Sequence, residues 1–364
     1  MNNAAEKIRA AIAEQGAIPF ARFMDLALYC PLCGYYEKKE DTPGRRGDFY
    51  TSVSVGSLFG ELLAFQFAAW LEAEDSNQMS EFRIVEAGAQ DGRLAKDILD
   101  WLKLQRPELF GLITYWIVEP SPQRQRWQTE TLNEFGAKVR WVADLKTIAP
   151  RTLCGVIFSN ELLDAMPVHR LGWDANQREW FEWGVTLEKE RFAWMRLPTP
   201  VHVSHFTFHV PPELLAVLPD GFTTEICPVA ESWWREAADW LKRGKVLTLD
   251  YGLAAEEFFA PSRANGTLRA YRQHRVSDDV LANAGEQDLT AHVNFTTIQS
   301  AGETVGLKTE ASCSQSQFLT HIAQQAWREE NVFGEWTKEQ TRQFQTLTHP
   351  EHLGQAFRVL IQSR

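Results

Sequence analysis

The sequence predicts an α/β fold, in which a mostly parallel, twisted sheet follows N-terminal helices and carries an inserted β-rich subdomain. From residue 82, short runs of Ile, Val, Phe and Trp alternate with helical patterns, which is typical of a parallel sheet with crossover helices. After Leu171 the pattern alternates as it does in β-hairpins, and from residue 223 strand and helix patterns return. The chain of 364 residues can form one large α/β domain with an insertion, or two domains.

The first elements are helical. Residues 5–15 and 19–29 predict two short helices, the first of them amphipathic through Ile8 and Ile12. The segment GDFYTSVSVGSLFGELLAFQFAAWLE predicts a helix that is buried over most of its surface. The sheet region then contains, in chain order, FRIVEAG, helix 93–104, ITYWIVEP, helix 122–135, AKVRWVADL and CGVIFSNELLDAMPVHRL.

Beyond the insertion, a helix through Trp240 is expected to stop at Gly244, ahead of the strand KVLTLDYG. A long loop is expected next, and the tail HLGQAFRVLIQSR predicts a last helix and an edge strand. The predicted loop covers residues 260–290. The predicted segments are 1–54 with the N-terminal helices and a covering loop, 55–170 with the core of the sheet, 171–222 with the inserted β-rich subdomain, and 223–364 with the rest of the sheet and the C-terminal elements.

Charge and hydropathy exclude several classes of protein. The net charge of −11 and the pI near 5.4 argue against binding to nucleic acid, whose phosphates would repel the chain. No apolar run of about 18 residues predicts a membrane span. The N-terminal segment MNNAAEKIRAAIAEQG contains an acid and has no apolar signal core, so a cytoplasmic protein is expected.

The five cysteines are odd in number and scattered, which indicates reduced thiols and no disulfide framework. Cys30 and Cys33 have the spacing of half a zinc site or of a redox centre. A structural zinc ion needs two further ligands, and no second close pair supplies them. The pattern therefore favours two buried thiols and predicts no metal.

The stretch IVEAGAQDGRLAKDIL predicts a buried strand, a glycine turn and the start of a helix. A dinucleotide-binding turn has a GxGxxG pattern, but here Gln90 takes the place of the middle glycine between Gly88 and Gly92. Glu86 and Asp91 also lie where phosphate charge would arrive, and they would repel it. The turn therefore disfavours phosphate ligands.

S-adenosylmethionine fits this loop better, because it carries a sulfonium and an ammonium group and has no phosphate. Glu119, at the end of the next strand, is placed to accept the ribose hydroxyls, and Asp144 after the third strand is placed to meet the adenine amino group. Acids at three successive strand ends would line the sheet edge at which open α/β sheets bind ligands. A strand-end acid also serves as a helix N-terminal charge partner, so each residue taken alone has a purely structural alternative.

The fourth strand ends in SNELLDAMPVHR, which brings Asn160, Glu161 and Asp164 to the same edge. These side chains could hold a nitrogen nucleophile in line with a sulfonium methyl group, and carboxylates pair with a guanidinium through two parallel hydrogen bonds. In the structural alternative, Asn160 turns the chain and Asp164 caps a helix.

Seven segments occur in one order along the chain: PFARFMDLALYCPLCGYYE, RGDFYTSVSVGSLFGELLA, VEAGAQDGRLAKDIL, SNELLDAMPVHR, LDYG, GTLRAYRQHRV and GEQDLTAHVNF. Together they resemble the MidA-like family of class I S-adenosylmethionine-dependent methyltransferases, from about Pro19 to the tail. The resemblance implies a Rossmann-like methyltransferase sheet with S-adenosyl-L-methionine as cofactor. It implies roles for residues over the cofactor (Asp48, Thr51, Ser52), in its main loop (Glu86, Gly88, Gly92), at its ribose (Glu119) and beside the acceptor (Glu161, Asp164).

The family includes a mitochondrial methyltransferase that assists assembly of respiratory complex I. The resemblance therefore implies a protein substrate, such as a subunit of a respiratory complex, with an arginine as methyl acceptor; a homodimer is also expected. The chain departs from the family loop E-x-G-P-G-x-G at Ala89 and Gln90, and Asn294 replaces the usual aspartate after AHV.

His292, in GEQDLTAHVNF, could take a proton from an acceptor nitrogen near neutral pH. Alternation in the same segment also predicts a strand with Asp288, Thr290, His292 and Asn294 on one polar face, which favours a structural role. Two alternatives to a methyltransferase stay open at this point. One is a non-catalytic assembly protein that keeps the fold, and the other is a nicotinamide-linked oxidoreductase, which rests on fold analogy alone.

Overall fold

The computed structural model describes residues 3–38, 51–73, 81–197, 210, 212–273, 275–329 and 333–364, and it confirms the α/β class. Within these residues the α-helices are α1 (Ala4–Gln15), α2 (Phe20–Tyr29), α3 (Ser52–Val55), α4 (Leu58–Glu72), α5 (Arg93–Gln105), α6 (Pro107–Leu112), α7 (Pro122–Thr131), α8 (Pro212–Leu215), α9 (Pro228–Trp240), α10 (Ala255–Phe258), α11 (Phe295–Thr304), α12 (Gln315–Ala326), α13 (Lys338–Thr348) and α14 (Leu353–Ala356).

The strands are β1 (Ile18–Pro19), β2 (Phe82–Ala87), β3 (Ile113–Val118), β4 (Val139–Val142), β5 (Leu153–Asn160), β6 (His169–Asp174), β7 (Glu179–Glu188), β8 (Arg191–Arg196), β9 (Thr223–Ile226), β10 (Leu241–Leu253), β11 (Arg269–Arg272), β12 (Arg275–Ser277), β13 (Asp288–Thr290), β14 (Val293–Asn294), β15 (Lys308–Ser314) and β16 (Phe357–Ser363).

The chain divides into two compact units, each assembled from separate stretches of sequence. The first unit comprises Met1–Phe49, Leu163–Ser232 and Gly252–Ile298. The second unit comprises Tyr50–Leu162, Trp233–Tyr251 and Gln299–Arg364. The four contiguous segments expected from the sequence stay a prediction.

The second unit contains seven strands of an eight-stranded sheet, in the order β15-β16-β10-β5-β2-β3-β4, and the eighth strand, β14, pairs with the last residues of β10. Neighbouring strands from β10 to β4 pair in parallel, whereas β16 is antiparallel to both β10 and β15. From β2 the chain continues to β3 and β4 on one side of the sheet and later to β5 and β10 on the other. Ligands of open α/β sheets bind at such a switch point, beyond the carboxyl ends of the strands.

The central strands of this sheet are apolar on both faces because helices cover them. Seven of the eight residues of β5 are buried, and α4 places Leu62, Leu63 and Phe67 in the same core, each with none of its surface exposed. This explains the continuous apolar runs in the sequence, since a parallel sheet covered on both sides does not alternate.

Gly244 does not stop a helix as predicted, because α9 already ends at Trp240 and Gly244 lies within β10. It pairs with Gly155 of β5, and a Cβ atom at Gly244 would overlap the carbonyl oxygen of Gly155. Both glycines have φ angles in the region that favours glycine, at 128° and 146°. Gly244 is therefore needed for close strand packing. In the sequence alone, such a glycine cannot be distinguished from one that ends a helix.

The tail forms the predicted helix and strand, but β16 is not an edge strand. It lies between β10 and β15, where Val359, Leu360 and Ile361 are all buried. Three consecutive buried apolar residues fit an interior strand, and exposure alternates instead along β15, which ends the sheet.

The first unit contains two smaller sheets. Its five-stranded sheet has the order β1-β7-β6-β9 with β8 paired to β7, and β6, β7 and β8 form the antiparallel hairpins that the alternating pattern predicts. Helices α1 and α2 supply Ile8, Phe20 and Phe23 to a fully buried core.

The loop expected over residues 260–290 instead contains β11 and β12, which form a three-stranded sheet with β13. The strand expected over GEQDLTAHVNF is interrupted: β13 ends at Thr290 and β14 begins at Val293. None of the helices in the described ranges is long and apolar enough to cross a membrane.

Candidate active site

The glycine loop joins β2 to α5 in a tight left-handed turn. Gly88, Gln90 and Gly92 have φ angles of 78°, 47° and 83°. The Gly92 N–H donates to the Ala89 carbonyl at 2.7 Å, which closes the turn. A Cβ atom at Gly88 would press on the Leu162 side chain at 3.0 Å, so this position requires glycine for both conformation and space.

A pocket lies beside this loop, at the carboxyl ends of β2 and β5. It brings together five of the residues predicted from the sequence, namely Thr51, Glu86, Gly88, Asn160 and Glu161. The other residues that line it are Val53, Ala89, Gln90, Asp91 and Leu94. The lining residues include three acids and no basic side chain, so the pocket suits a cationic ligand better than a phosphate.

Glu161 follows directly after β5 with φ of 52°, a conformation that a residue with a side chain rarely adopts. Its Oε1 accepts hydrogen bonds from the Ser52 N–H at 3.2 Å and from the Asn160 amide at 3.1 Å. Its own N–H donates to the Leu249 carbonyl at 3.0 Å. These bonds hold a strained residue at the mouth of the pocket, and strain of this kind concentrates at functional sites.

Asn160 donates to Glu161 with its amide nitrogen, but its Oδ1 atom is buried and has no hydrogen-bond partner among the described residues. A buried acceptor without a partner has a free-energy cost, which a ligand that donates a hydrogen bond would remove.

Glu86 ends in this pocket with only 2% of its surface exposed. Burial raises the pKa of Glu86 to about 8, the hydrogen bond from the Tyr115 hydroxyl opposes this rise, and the charge of Asp91 adds to it. The Tyr115 hydroxyl oxygen lies 2.7 Å from Glu86 Oε2. Without a ligand, Glu86 therefore holds a proton in most molecules at pH 7.

Glu119 follows β3 as predicted, but it is almost fully buried in a network of side chains and is absent from the pocket lining. It accepts the Ser121 N–H at 2.9 Å, forms an ion pair with Arg124 at 3.0 Å and accepts a hydrogen bond from Gln128 at 3.0 Å. Gln128 also donates to the Gln90 carbonyl at 3.0 Å and accepts from Trp141 at 2.9 Å. One buried amide thus links Glu119 to the glycine loop.

Arg124 and Gln128 were not predicted as site residues from the sequence. They lie one turn apart on α7, so both reach the same strand-end acid, and this spacing is the signal that could have identified them.

Three other predicted cofactor residues do not line the pocket. Asp144 is exposed and accepts the Lys146 N–H at 2.9 Å, which makes it the cap of a short helical turn. The Ser52 hydroxyl donates to Gln315 at 3.1 Å, and Gly92 starts α5. Asp48 lies outside the described residues.

Asp164 and His292 belong to the first unit. The Asp164 backbone carbonyl accepts the Ala291 N–H at 2.9 Å. His292 lines a pocket of this unit together with Glu225 and Asn294, and its Nδ1 is buried with no hydrogen-bond partner in the described part of the chain. Burial, followed by the charges of nearby arginines, lowers the pKa of His292 to about 4, so the ring is neutral at pH 7.

No group of three or more His, Cys, Asp or Glu side chains is arranged for a metal ion in the ranges that the structure describes.

Comparison with known proteins identifies relatives over most of the chain. A model of a family of S-adenosyl-L-methionine-dependent methyltransferases matches residues 62–313. The mitochondrial protein arginine methyltransferase NDUFAF7 homolog of Drosophila melanogaster is 28% identical over 98% of this chain and 84% of its own length. Mitochondrial protein arginine methyltransferase NDUFAF7 of Danio rerio is 28% identical over 80% of this chain and 70% of its own length.

A crystal structure from Burkholderia thailandensis, with S-adenosyl-homocysteine bound, superposes with a TM-score of 0.84. It is 31% identical and covers 99% of this chain and 92% of that chain. The relatives from Drosophila melanogaster and Danio rerio are described as mitochondrial, which contradicts the cytoplasmic location expected from the sequence. That expectation rests on one acid and on the absence of an apolar signal core in the N-terminal segment, and neither feature rules out import into an organelle.

Proposed function

Because the chain belongs to the MidA-like family of S-adenosyl-L-methionine-dependent methyltransferases, we propose that it methylates a protein, with an arginine side-chain nitrogen as the acceptor. The relatives named as protein arginine methyltransferases support this choice of acceptor. The observation that carries the proposal is the acidic pocket in which Glu86, Asn160 and Glu161 meet the glycine turn.

The residues of this pocket fit S-adenosyl-L-methionine. The unpartnered Asn160 Oδ1 can accept a hydrogen bond from an ammonium group or a hydroxyl, and both occur on this cofactor. Glu86 and Asp91 offer carboxylates to its positive charges, and Gly88 lets the loop turn sharply between them.

When bound, the cofactor supplies a methyl group on a positively charged sulfur. Glu161 then has two roles: its carboxylate accepts hydrogen bonds from the guanidinium of the acceptor, and its negative charge offsets the two positive charges that approach each other. The bonds from Ser52 and Asn160 fix the Glu161 carboxylate before the acceptor arrives, so little reorganisation is needed during the reaction.

The remaining predicted residues have indirect or separate roles in this proposal. Glu119 acts on the glycine loop through Gln128, and Ser52 orients Glu161. Gly92 allows the sharp start of α5. The roles of Asp48, Asp144, Asp164 and His292 stay as predicted from the sequence: the first two at the cofactor and the last two at the acceptor.

Transfer of a labelled methyl group tests the proposal. The protein is incubated with labelled S-adenosyl-L-methionine and an extract of cells that lack it, and the labelled amino acid is identified after hydrolysis of the extracted proteins. We expect the label in methylarginine. Glu161→Gln is expected to lower the rate by about 100-fold, because it removes a charge at the reacting centre.

The matched control is Glu108→Gln, since Glu108 is an exposed acid on α6 of the same unit. Equal rates for the two variants, or label found in an amino acid other than arginine, would contradict the proposal. A respiratory-complex subunit as substrate and a homodimer also belong to this proposal. The labelled protein identifies the first, and light scattering of the purified chain measures the second.

A further inference from the structure

Cys30 and Cys33 are brought face to face by the turn that ends α2. The Cys33 N–H donates to the Cys30 carbonyl at 3.1 Å, and the two Sγ atoms lie 2.7 Å apart. Leu32, between them, has φ of 67°, which reverses the chain at this point. Both thiols are buried, with 7% and 8% of their surface exposed. The turn thus holds the two thiols in direct contact with each other.

Cys33 also lines a cavity of the first unit of about 610 Å³. Small-molecule sites occupy roughly 300–1,000 Å³, so this cavity can admit a tripeptide. Its walls carry both signs of charge, with Arg9, Lys38 and Arg191 near Glu190 and Glu286. Arg9 Nε is buried and has no hydrogen-bond partner among the residues described. The cavity therefore suits a ligand that carries both carboxylate and ammonium groups.

Lysines modulate the reactivity of this thiol. Burial and the hydrogen bond with Cys30 raise the pKa of Cys33 to about 11, while the charges of Lys7 and Lys38 oppose the rise. A thiol that is protonated at neutral pH reacts slowly, so exchange at this pair is expected to accelerate as the pH rises.

We propose that Cys30 and Cys33 form a thiol–disulfide exchange site for small charged disulfides of the glutathione type. The Cys33 thiolate attacks one sulfur of the small disulfide, which gives a mixed disulfide and releases the first small thiol. The Cys30 thiolate then attacks the sulfur of Cys33, and the second small thiol leaves. The two cysteine protons end on the two released thiols, and the small disulfide has taken up two electrons. This inference does not depend on methyl transfer.

The test treats the full-length protein with oxidised glutathione at mildly alkaline pH, stops the reaction with acid, and alkylates the unfolded protein before mass spectrometry. We expect the peptide with Cys30 and Cys33 to escape alkylation and to lose the mass of two hydrogens, and a dithiol to reverse this. Cys154 and Cys313 serve as internal controls that stay alkylated. Alkylation of both Cys30 and Cys33 at the most oxidising ratio would overturn the proposal.

The order of attack is tested with single variants. Cys30→Ser is expected to accumulate a glutathione adduct on Cys33, whereas Cys33→Ser accumulates an adduct on Cys30 about tenfold more slowly, since only Cys33 lines the cavity. Equal rates would refute the cavity as the route of entry.

The role of charge is tested with an uncharged probe on the folded wild-type protein. The rate with oxidised glutathione is expected to saturate, and the rate with hydroxyethyl disulfide to rise linearly. Arg9→Ala is expected to raise the half-saturating glutathione concentration about tenfold, which corresponds to the loss of one charged hydrogen bond. Linear kinetics for both disulfides would overturn recognition by the cavity.

Discussion

The ionisation of Glu86 contributes to how the stability of the protein depends on pH. Its pKa rises on folding from 4.5 to about 8, because burial disfavours the carboxylate. The folded state therefore binds this proton more tightly than the unfolded state does. The contribution to stability is complete below pH 4.5 and is lost as the pH rises towards 8.

We predict that Glu86→Gln removes this part of the pH dependence, because the amide does not titrate. Urea unfolding of both proteins between about pH 5 and pH 8.5 measures it, and the difference between the two curves isolates Glu86 from the other titrating groups. A constant difference across this range would show that Glu86 is already ionised in the folded protein.

Gln90 carries strain that glycine would relieve. Its φ of 47° costs a residue with a side chain about 1–2 kcal/mol, and glycine loses roughly 0.5–1 kcal/mol of this gain to chain entropy. We predict that Gln90→Gly raises the free energy of unfolding by about 0.5–1 kcal/mol. Gln90→Ala, which keeps the strained φ angle, is the control in the same denaturant experiment. An equal rise in the free energy of unfolding for Gln90→Ala would show that loss of the glutamine side chain, and not relief of strain, causes the effect.

At the scale of single residues, the sequence indicates which polar residues lie at the ends of strands, but it does not indicate what surrounds them in the fold. Glu86, Asn160 and Glu161 were recognisable because an acid or an amide ends an apolar run. The burial of Glu119 depends on which face of α7 packs against it, and a glutamine at position 90 does not by itself indicate a left-handed conformation.

Helix α7 fixes the glycine loop through one amide, so an element next to the pocket controls the pocket's shape. Gln128 is fully buried and makes hydrogen bonds with Gln90, Glu119 and Trp141. We predict that Gln128→Leu destabilises the protein by about 2–4 kcal/mol, because it leaves several buried polar groups without partners.

The same variant is expected to raise the KM for S-adenosyl-L-methionine about tenfold with a smaller change in kcat, because the loop is displaced while Glu161 is not. Thr129→Ala, on the exposed side of α7, is the control for general effects on the helix. A loss of stability of the predicted size together with an unchanged KM would mean that Gln128 of α7 stabilises the fold but does not affect cofactor binding.

The close packing of β5 and β10 depends on two paired glycines. We predict that Gly244→Ala destabilises the protein by more than about 3 kcal/mol, since the new Cβ atom overlaps a main-chain oxygen that the sheet holds in place. Gly111→Ala in α6, where nothing lies within 4 Å, is expected to be stabilising by about 0.5–1 kcal/mol. Thermal unfolding compares the two, and similar transition temperatures would contradict the packing argument.

Strands and helices were predictable from the sequence wherever burial imposes a clear period. The segments from β2 to β5 match their predicted positions closely because each strand is a short run rich in apolar and aromatic residues, set between helices or turns. The break between β13 and β14 could not be predicted from the sequence. Apolar and polar residues continue to alternate through Ala291 and His292, while the strand to which the chain pairs changes from β11 to β10.

At the scale of the whole molecule, the chain carries a formal charge of −11. A substrate segment that contains arginine would be attracted from a distance, and salt screens such attraction. We predict that kcat/KM for the protein substrate falls several-fold between about 50 mM and 500 mM salt, mainly through slower association. A substrate whose kcat/KM is independent of salt would indicate recognition by apolar contacts.

The limits of sequence prediction are clearest at this scale. Each unit is assembled from three separate stretches, and the chain passes between the units after Phe49, Leu162, Ser232, Tyr251 and Ile298. Composition changes at only some of these points, since a strand such as β10 continues through one of them without a change in hydropathy. Sequence alone therefore leads to contiguous segments, and the places where the chain passes between the two units carry no common signal in composition.

The proton on Glu86 reduces the negative charge of the pocket at neutral pH. At neutral pH the free protein conceals part of its negative potential from the magnesium ions and polyamines that are abundant in cells. The full charge develops only when a cation of the right shape displaces water and lowers the pKa of this acid. We therefore expect simple counterions to compete less with the cofactor than they would if all three acids of the pocket were ionised.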